Sequence, residues 1–202
     1  MMEIYLLRHG TSLANEKKLV CGSSDYALSG KGIEQASRVC QELRKIPFTR
    51  IYSSPLSRAI NTIAELKSPV IVNIEDQVKE LNTGDVSHIT LPELWSRDER
   101  YRQPWLSPDL RYPGGETFRE MVTRISEWYN TRATYWSDSD KILIVGHEGT
   151  LRSIYLNLMH LELADYPDFP IGNCDCLYFE KSDNKVIRFE HIKLKGTEGE
   201  RN

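Results

Sequence analysis

Two hydrophobic periods alternate along the chain. Unbroken apolar runs at 3–8 (Ile4, Tyr5, Leu6, Leu7) and 141–146 (KILIVG) predict strands buried on both faces. From Ser29 to about Ile46, Ile33, Ala36, Cys40 and Leu43 recur at helical spacing, and Pro47 marks the end. Residues 50–53 predict a strand. Ser54-Pro55 then opens a helix to about Lys67, with Ser54 as N-cap and Pro55 at the first helical position. A short strand is expected at 70–74. Phe118, Met121, Val122, Ile125 and Tyr129 trace one face of a long helix from near Glu116 to about Trp136, and a further helix covers 151–159. Strands at about 175–181 and 186–194, joined by Ser182-Asp183-Asn184-Lys185, predict a hairpin. This alternation predicts an α/β fold, with helices on both faces of a mostly parallel sheet.

Residues 82–115 break the rhythm with Trp95, Trp105, four prolines and Gly114-Gly115. They are read as a partly helical lid inserted into one domain spanning 1–195. The tail, 196–202, is expected to fray. Composition narrows the field without changing this picture. The 202 residues are 40% hydrophobic and 27% charged, with net charge −3, so there is no global attraction to nucleic acid or to an anionic membrane. No leader or membrane-length apolar stretch is seen, and a cytoplasmic protein is expected. Cys21, Cys40, Cys174 and Cys176 lack zinc-site spacing; Cys174 and Cys176 are read as packing residues on one strand face.

The chemistry gathers at two strand ends. His9 and His147 each follow an apolar run and precede a glycine within two residues, which puts both at the carboxyl edge where open α/β sheets bind ligands. Arg8 precedes His9. Arg58 falls in or just after the first turn of its predicted helix, where unpaired N–H groups already favour an anion. Guanidinium forks match phosphate oxygens, so Arg8 and Arg58 could clamp a phosphate. Within such a clamp one neutral imidazole can attack phosphorus while the other stabilises its oxygens. The leaving alkoxide needs a proton donor. Spacing alone leaves Glu80, Asp25, Asp85, Glu116 and Glu148 as candidates.

Six blocks in order, LLRHGTSLAN, GSSDYALSGKGIEQA, YSSPLSRAINT, VKELNTGD, PGGETFREM and IVGHEGTLR, make the chain resemble the histidine phosphatase superfamily, phosphoglycerate-mutase-like branch. In size and layout it is similar to α-ribazole-phosphatase-like and broad-specificity members. The resemblance implies a three-layer α/β/α fold and transient phosphorylation of His9. It also implies a phosphate pocket completed by Arg8, Arg58 and His147, with Asn15 as a further contact. Glu80 falls on the family's general-acid position. No metal or organic cofactor is implied. The expected partner is a small-molecule phosphate ester, with no nucleic acid or membrane, and a homodimer is possible.

Departures bear on the substrate. Thr11-Ser12 stands where many relatives have Glu-Thr. Ser12 keeps a hydroxyl for hydrogen bonding near the phosphate, whereas Thr11 removes a carboxylate expected beside the entrance. Gly84-Asp85-Val86-Ser87-His88 replaces an aromatic-acidic corner; His88 is read as solvent-facing. The family's mutases carry longer insertions after the acid, so a phosphatase is favoured over a mutase or a non-catalytic phospho-ligand binder. Arg97, Arg100, Arg102 and Arg111 could grip a second anion, although a solvated charged face is the simpler reading.

Overall fold

The computed structural model describes residues 1–167, 169–183 and 185–193. Six strands form one sheet: β1 (Met2–Arg8), β2 (Arg50–Ser53), β3 (Val72–Ile74), β4 (Lys141–Gly146), β5 (Cys176–Ser182) and β6 (Lys185–Ile192), in the order β3-β2-β4-β1-β5-β6. The first four of that order run parallel, and β5 is antiparallel to both β1 and β6. Because β4 returns between β2 and β1, the carboxyl ends of three neighbouring parallel strands open at one edge.

Alternation along the central strands feeds two cores. Ile4, Leu6, Ile142 and Ile144 pack under α5 (Phe118–Ala133) and α6 (Glu148–Met159). Tyr5, Leu7, Leu143 and Val145 pack under α2 (Gly30–Leu43) and α3 (Ser57–Thr62). The result is the expected three-layer α/β/α arrangement. The predicted face of α5 is buried throughout and gains Trp128; Thr117 and Glu120 close a capping box at its start. Segment 82–115 contains α4 (Leu91–Arg97) and three short 3-10 turns; α1 is the single turn Leu13–Glu16.

Several boundaries moved for physical reasons. Ile33 is 59% exposed, and the inward face of α2 carries Gly32, Gln35, Ala36, Val39, Cys40 and Leu43. The bare Gly32 backbone is needed there, since a Cβ would lie 2.0 Å from the Thr11 carbonyl oxygen. Ser54 does not cap α3. Its hydroxyl meets His147 Nε2 and accepts from the Leu56 N–H at 3.3 Å, and the helix starts after Leu56 and ends at Thr62. Helix α6 begins three residues early, at Glu148, directly after His147. Cys174 precedes β5 in a left-handed conformation (φ 61°), so it does not share a strand face with Cys176, although both side chains join the same core cluster. The tail and Asn184 of the hairpin turn fall outside the described residues.

Candidate active site

At the open edge the end of β1 delivers Arg8 and His9, the end of β4 delivers His147, and the first turn of α3 delivers Arg58. His9 is 4%, His147 1% and Arg58 1% exposed. The imidazole centroids are 5.0 Å apart. A single Arg58 Nε–H lies between them, 3.3 Å from His9 Nε2 and 3.2 Å from His147 Nδ1. Its two terminal nitrogens donate to the carbonyls of Ser24 and Gly22, each at 2.7 Å, which locks the guanidinium plane.

The tautomers follow from the partners. His9 Nδ1 is 2.7 Å from the Gly10 carbonyl oxygen, so it carries the proton, and the Nε2 lone pair points at Arg58. His147 Nδ1 accepts from Arg58, so its Nε2 proton donates to Ser54 Oγ at 2.8 Å. Burial above all, then the Arg58 and Arg8 guanidinium groups, hold the His9 imidazole well below the usual histidine range. His147 is depressed in the same way, by burial first and then by Arg58, His9 and Arg8. Both rings are therefore neutral, and His9 Nε2 is a nucleophilic nitrogen at neutral pH.

These groups form the floor of a cavity of about 320 Å³ that also includes Asn15, Glu80, Glu148 and Arg152. Arg8 donates to the Ile171 carbonyl and pairs with Glu148 at 3.0 Å; its Nε is buried without a hydrogen-bond partner among the described residues. An orphaned buried donor beside two imidazoles suits an anionic oxygen.

Of the five carboxylates with eligible spacing, only Glu80 and Glu148 line this cavity. Glu148 is engaged by Arg8 and by Arg152, the latter at 2.7 Å. The Glu80 carboxylate receives backbone N–H groups instead: Leu81 at 2.9 Å and Gly149, in the first turn of α6, at 2.9 Å. Arg124 from α5 secures the Glu80 loop through the Lys79 and Glu80 carbonyls at 3.0 and 3.1 Å and pairs with Glu116 at 2.8 Å. Asp25 accepts from Ser57, and Asp85 packs against Gly114.

Two residues assigned to the pocket or its rim sit behind it. Ser12 is fully buried; its hydroxyl donates to Asn15 Oδ1 at 2.9 Å and caps α1, so it holds Asn15 rather than facing the cavity. Thr11 is buried as well, with its hydroxyl on Gln35 at 2.9 Å, and does not border the entrance. His88 is exposed and meets the Tyr26 hydroxyl. Arg97, Arg100, Arg102 and Arg111 pair with Glu93, Asp98, Glu99 and Glu120 and do not line the cavity, as a solvated face requires. Sequence reasoning missed Ser54, Arg124, Arg152 and Asn173, whose amide nitrogen holds the His9 carbonyl at 3.0 Å. Only Arg152 gave a usable signal, four residues after Glu148 on one helix.

The geometry defines a pocket suited to an anion, with two buried neutral imidazoles and a buried guanidinium at its floor. The chain matches the histidine phosphatase superfamily (branch 1) over residues 4–191 and belongs to it. A probable phosphoglycerate mutase of Erwinia tasmaniensis is 31% identical over 179 residues, covering 86% of this chain and 82% of its own length. Phosphoserine phosphatase 1 of Hydrogenobacter thermophilus is 26% identical over 196 residues, covering 93% and 92%. Among solved structures, a putative α-ribazole-5′-phosphate phosphatase from Escherichia coli superposes with a TM-score of 0.82 at 24% identity, covering 96% of this chain and 98% of its own, which establishes a shared fold.

Proposed function

We propose that this chain is a phosphatase that hydrolyses small-molecule phosphate monoesters through a phosphohistidine at His9, without a metal or organic cofactor. The observation that carries the proposal is the Arg58 Nε–H held between two buried neutral imidazoles. A phosphoryl oxygen arriving there takes the Arg58 proton contact and frees the His9 Nε2 lone pair to attack phosphorus. Arg8 and Arg58 hold the equatorial oxygens, and Asn15 adds its amide nitrogen, because its Oδ1 is already occupied by Ser12. The negative charge favours a proton on His147 Nδ1, which then faces phosphate as a donor, with Ser54 fixing the other end of the ring.

As the N–P bond forms, the P–O ester bond breaks and Glu80 passes its proton to the departing alkoxide. In the second half, carboxylate Glu80 takes a proton from water, the hydroxide attacks phosphorus, and the N–P pair returns to Nε2. The named relatives divide between mutase and phosphatase. The phosphatase reading is supported by a segment, 82–115, whose arginines are all paired on its outer side.

Purified protein in EDTA should release phosphate from p-nitrophenyl phosphate, and His9→Ala should abolish the release. Activity that survives the substitution removes His9 from the mechanism, and dependence on added bisphosphoglycerate for 2- to 3-phosphoglycerate interconversion supports the mutase alternative. Glu80→Gln should slow esters of poor leaving groups by roughly 10²–10⁴ and activated aryl esters far less. Equal losses would assign the proton to another group.

A further inference from the structure

We infer that the alcohol part of the substrate is apolar, one ring or a chain of similar size, rather than a second anionic or sugar group; the inference rests on the phosphatase reading above. Beyond the histidines and arginines the cavity wall is built from Leu81, Leu91, Trp105, Phe118, Met121 and Tyr166. Trp105 stacks on Tyr166 at 5.6 Å with an interplanar angle of 26°, and Phe118 meets Tyr166 edge-on at 4.8 Å. The Tyr166 hydroxyl, the obvious polar handle in this group, is spent on the Gly149 carbonyl at 3.1 Å.

Charge points the same way. A second carboxylate or phosphate on the substrate needs free cationic donors away from the phosphate end. Arg152, on the cavity wall, shares the Glu148 carboxylate with Arg8 and turns its Nε and Nη2 N–H groups to the Phe169 carbonyl, so those donors are already in use. Glu148 itself would repel a second anion. A cavity of about 320 Å³ with a phosphate-sized polar floor and an aromatic upper wall therefore takes a phosphate carrying one ring or a comparable apolar chain. Specificity comes from water excluded by that wall, with Trp105 and Leu91 as its half-exposed, ligand-facing members.

Non-hydrolysable phosphonates separate this inference from the catalytic one. Dissociation constants measured calorimetrically at pH 8 for methylphosphonate, benzylphosphonate and phosphonoacetate should show benzylphosphonate tighter than methylphosphonate by about tenfold or more, and phosphonoacetate no tighter than methylphosphonate. Trp105→Ala, and independently Leu91→Ala, should collapse the benzyl-to-methyl ratio toward one. In turnover, kcat/KM for 2-phenylethyl phosphate should exceed that for 3-phosphoglycerate by a similar factor, with the difference carried by KM. A benzyl-to-methyl ratio below about threefold, or phosphonoacetate as the tightest ligand, overturns the substrate class. Absence of turnover on every ester, with the phosphonate ratio intact, would instead refute the phosphatase reading and leave the apolar subsite standing.

Discussion

Lowering the pH should destabilise this protein through its two site histidines before its carboxylates titrate. His9 and His147 are neutral in the folded chain because burial and the neighbouring guanidinium groups depress both. In the unfolded chain each titrates near the ordinary value of about 6.5. Between the depressed folded value and about 6.5, the unfolded state binds a proton that the folded state does not. Stability therefore falls as pH drops below about 6.5, and the loss continues until the folded value is reached. From pH 7.5 to 5.5 proton uptake by the unfolded chain sets a ceiling of about 1.4 kcal/mol per histidine, about 2.7 kcal/mol for the pair, a sizeable part of a typical total of 5–15 kcal/mol. Urea unfolding followed by tryptophan fluorescence at several pH values in a non-binding buffer gives the slope. His9→Gln and His147→Gln should each remove about half of the excess, and the double variant should be nearly flat over this window. A wild-type slope that the double variant reproduces would mean that burial and the guanidinium groups do not hold the folded imidazoles below the ordinary histidine range, which refutes the reasoning.

The same charge balance makes sulfate, a tetrahedral dianion that does not itself titrate here, bind more tightly at pH 5.5 than at 7.5. Binding should take up a proton at His147, with affinity rising by up to about tenfold per pH unit, and a pH-independent dissociation constant would refute that protonation. Gly149→Ala tests the seat of Glu80: a Cβ there would lie 2.4 Å from Glu80 Oε1, so the carboxylate must shift. Turnover of esters with poor leaving groups should drop by about tenfold or more while the thermal midpoint moves by only a few degrees, and unchanged kinetics would show that the seat is not needed.

Legibility followed the range of the interaction. The strand ends bearing His9 and His147 were visible because an apolar run, a histidine and a glycine are adjacent in sequence. Arg58 was placed correctly although its helix was not. Ser54-Pro55 has the chemistry of a helix start, but the hydroxyl belongs to His147, 93 residues away, and no local pattern reports that. Ile33 was assigned inward by apolar spacing. The real inner face turns by about one residue, because Gly32 and Gln35, neither of them apolar, are needed against residues 10 and 11. The comparison with relatives that carry Glu at position 11 puts Thr11 beside the entrance, yet the β1–α1 turn buries it with its hydroxyl on Gln35 of α2. Arg124 lies off the apolar stripe of α5, and only the tertiary fold shows it gripping the loop that presents Glu80.

The charges are distributed so that the chemistry is fixed and the alcohol end is free to vary. Arg8 and Arg152 share the single Glu148 carboxylate, one oxygen each, so the three groups keep a net positive charge. Arg58 has only neutral acceptors in its hydrogen bonds, two carbonyls and two imidazole nitrogens, so its buried charge is solvated but not neutralised. Keeping such a cation and two uncharged histidines out of water costs stability, and a loop-based site would relax to escape it. Here the histidines follow β1 and β4 directly and Arg58 sits in the first turn of α3 after β2; Ile51, Leu6, Leu7 and Ile142 to Val145 of these strands are wholly buried, so the sheet core holds the groups against that relaxation. A phosphate dianion is then the ligand that supplies the missing negative charge, and the positive field at His9 exists before it arrives. The aromatic wall takes no part in that balance, which is why substitutions there should redirect affinity among substrates without moving the pH response of the histidines.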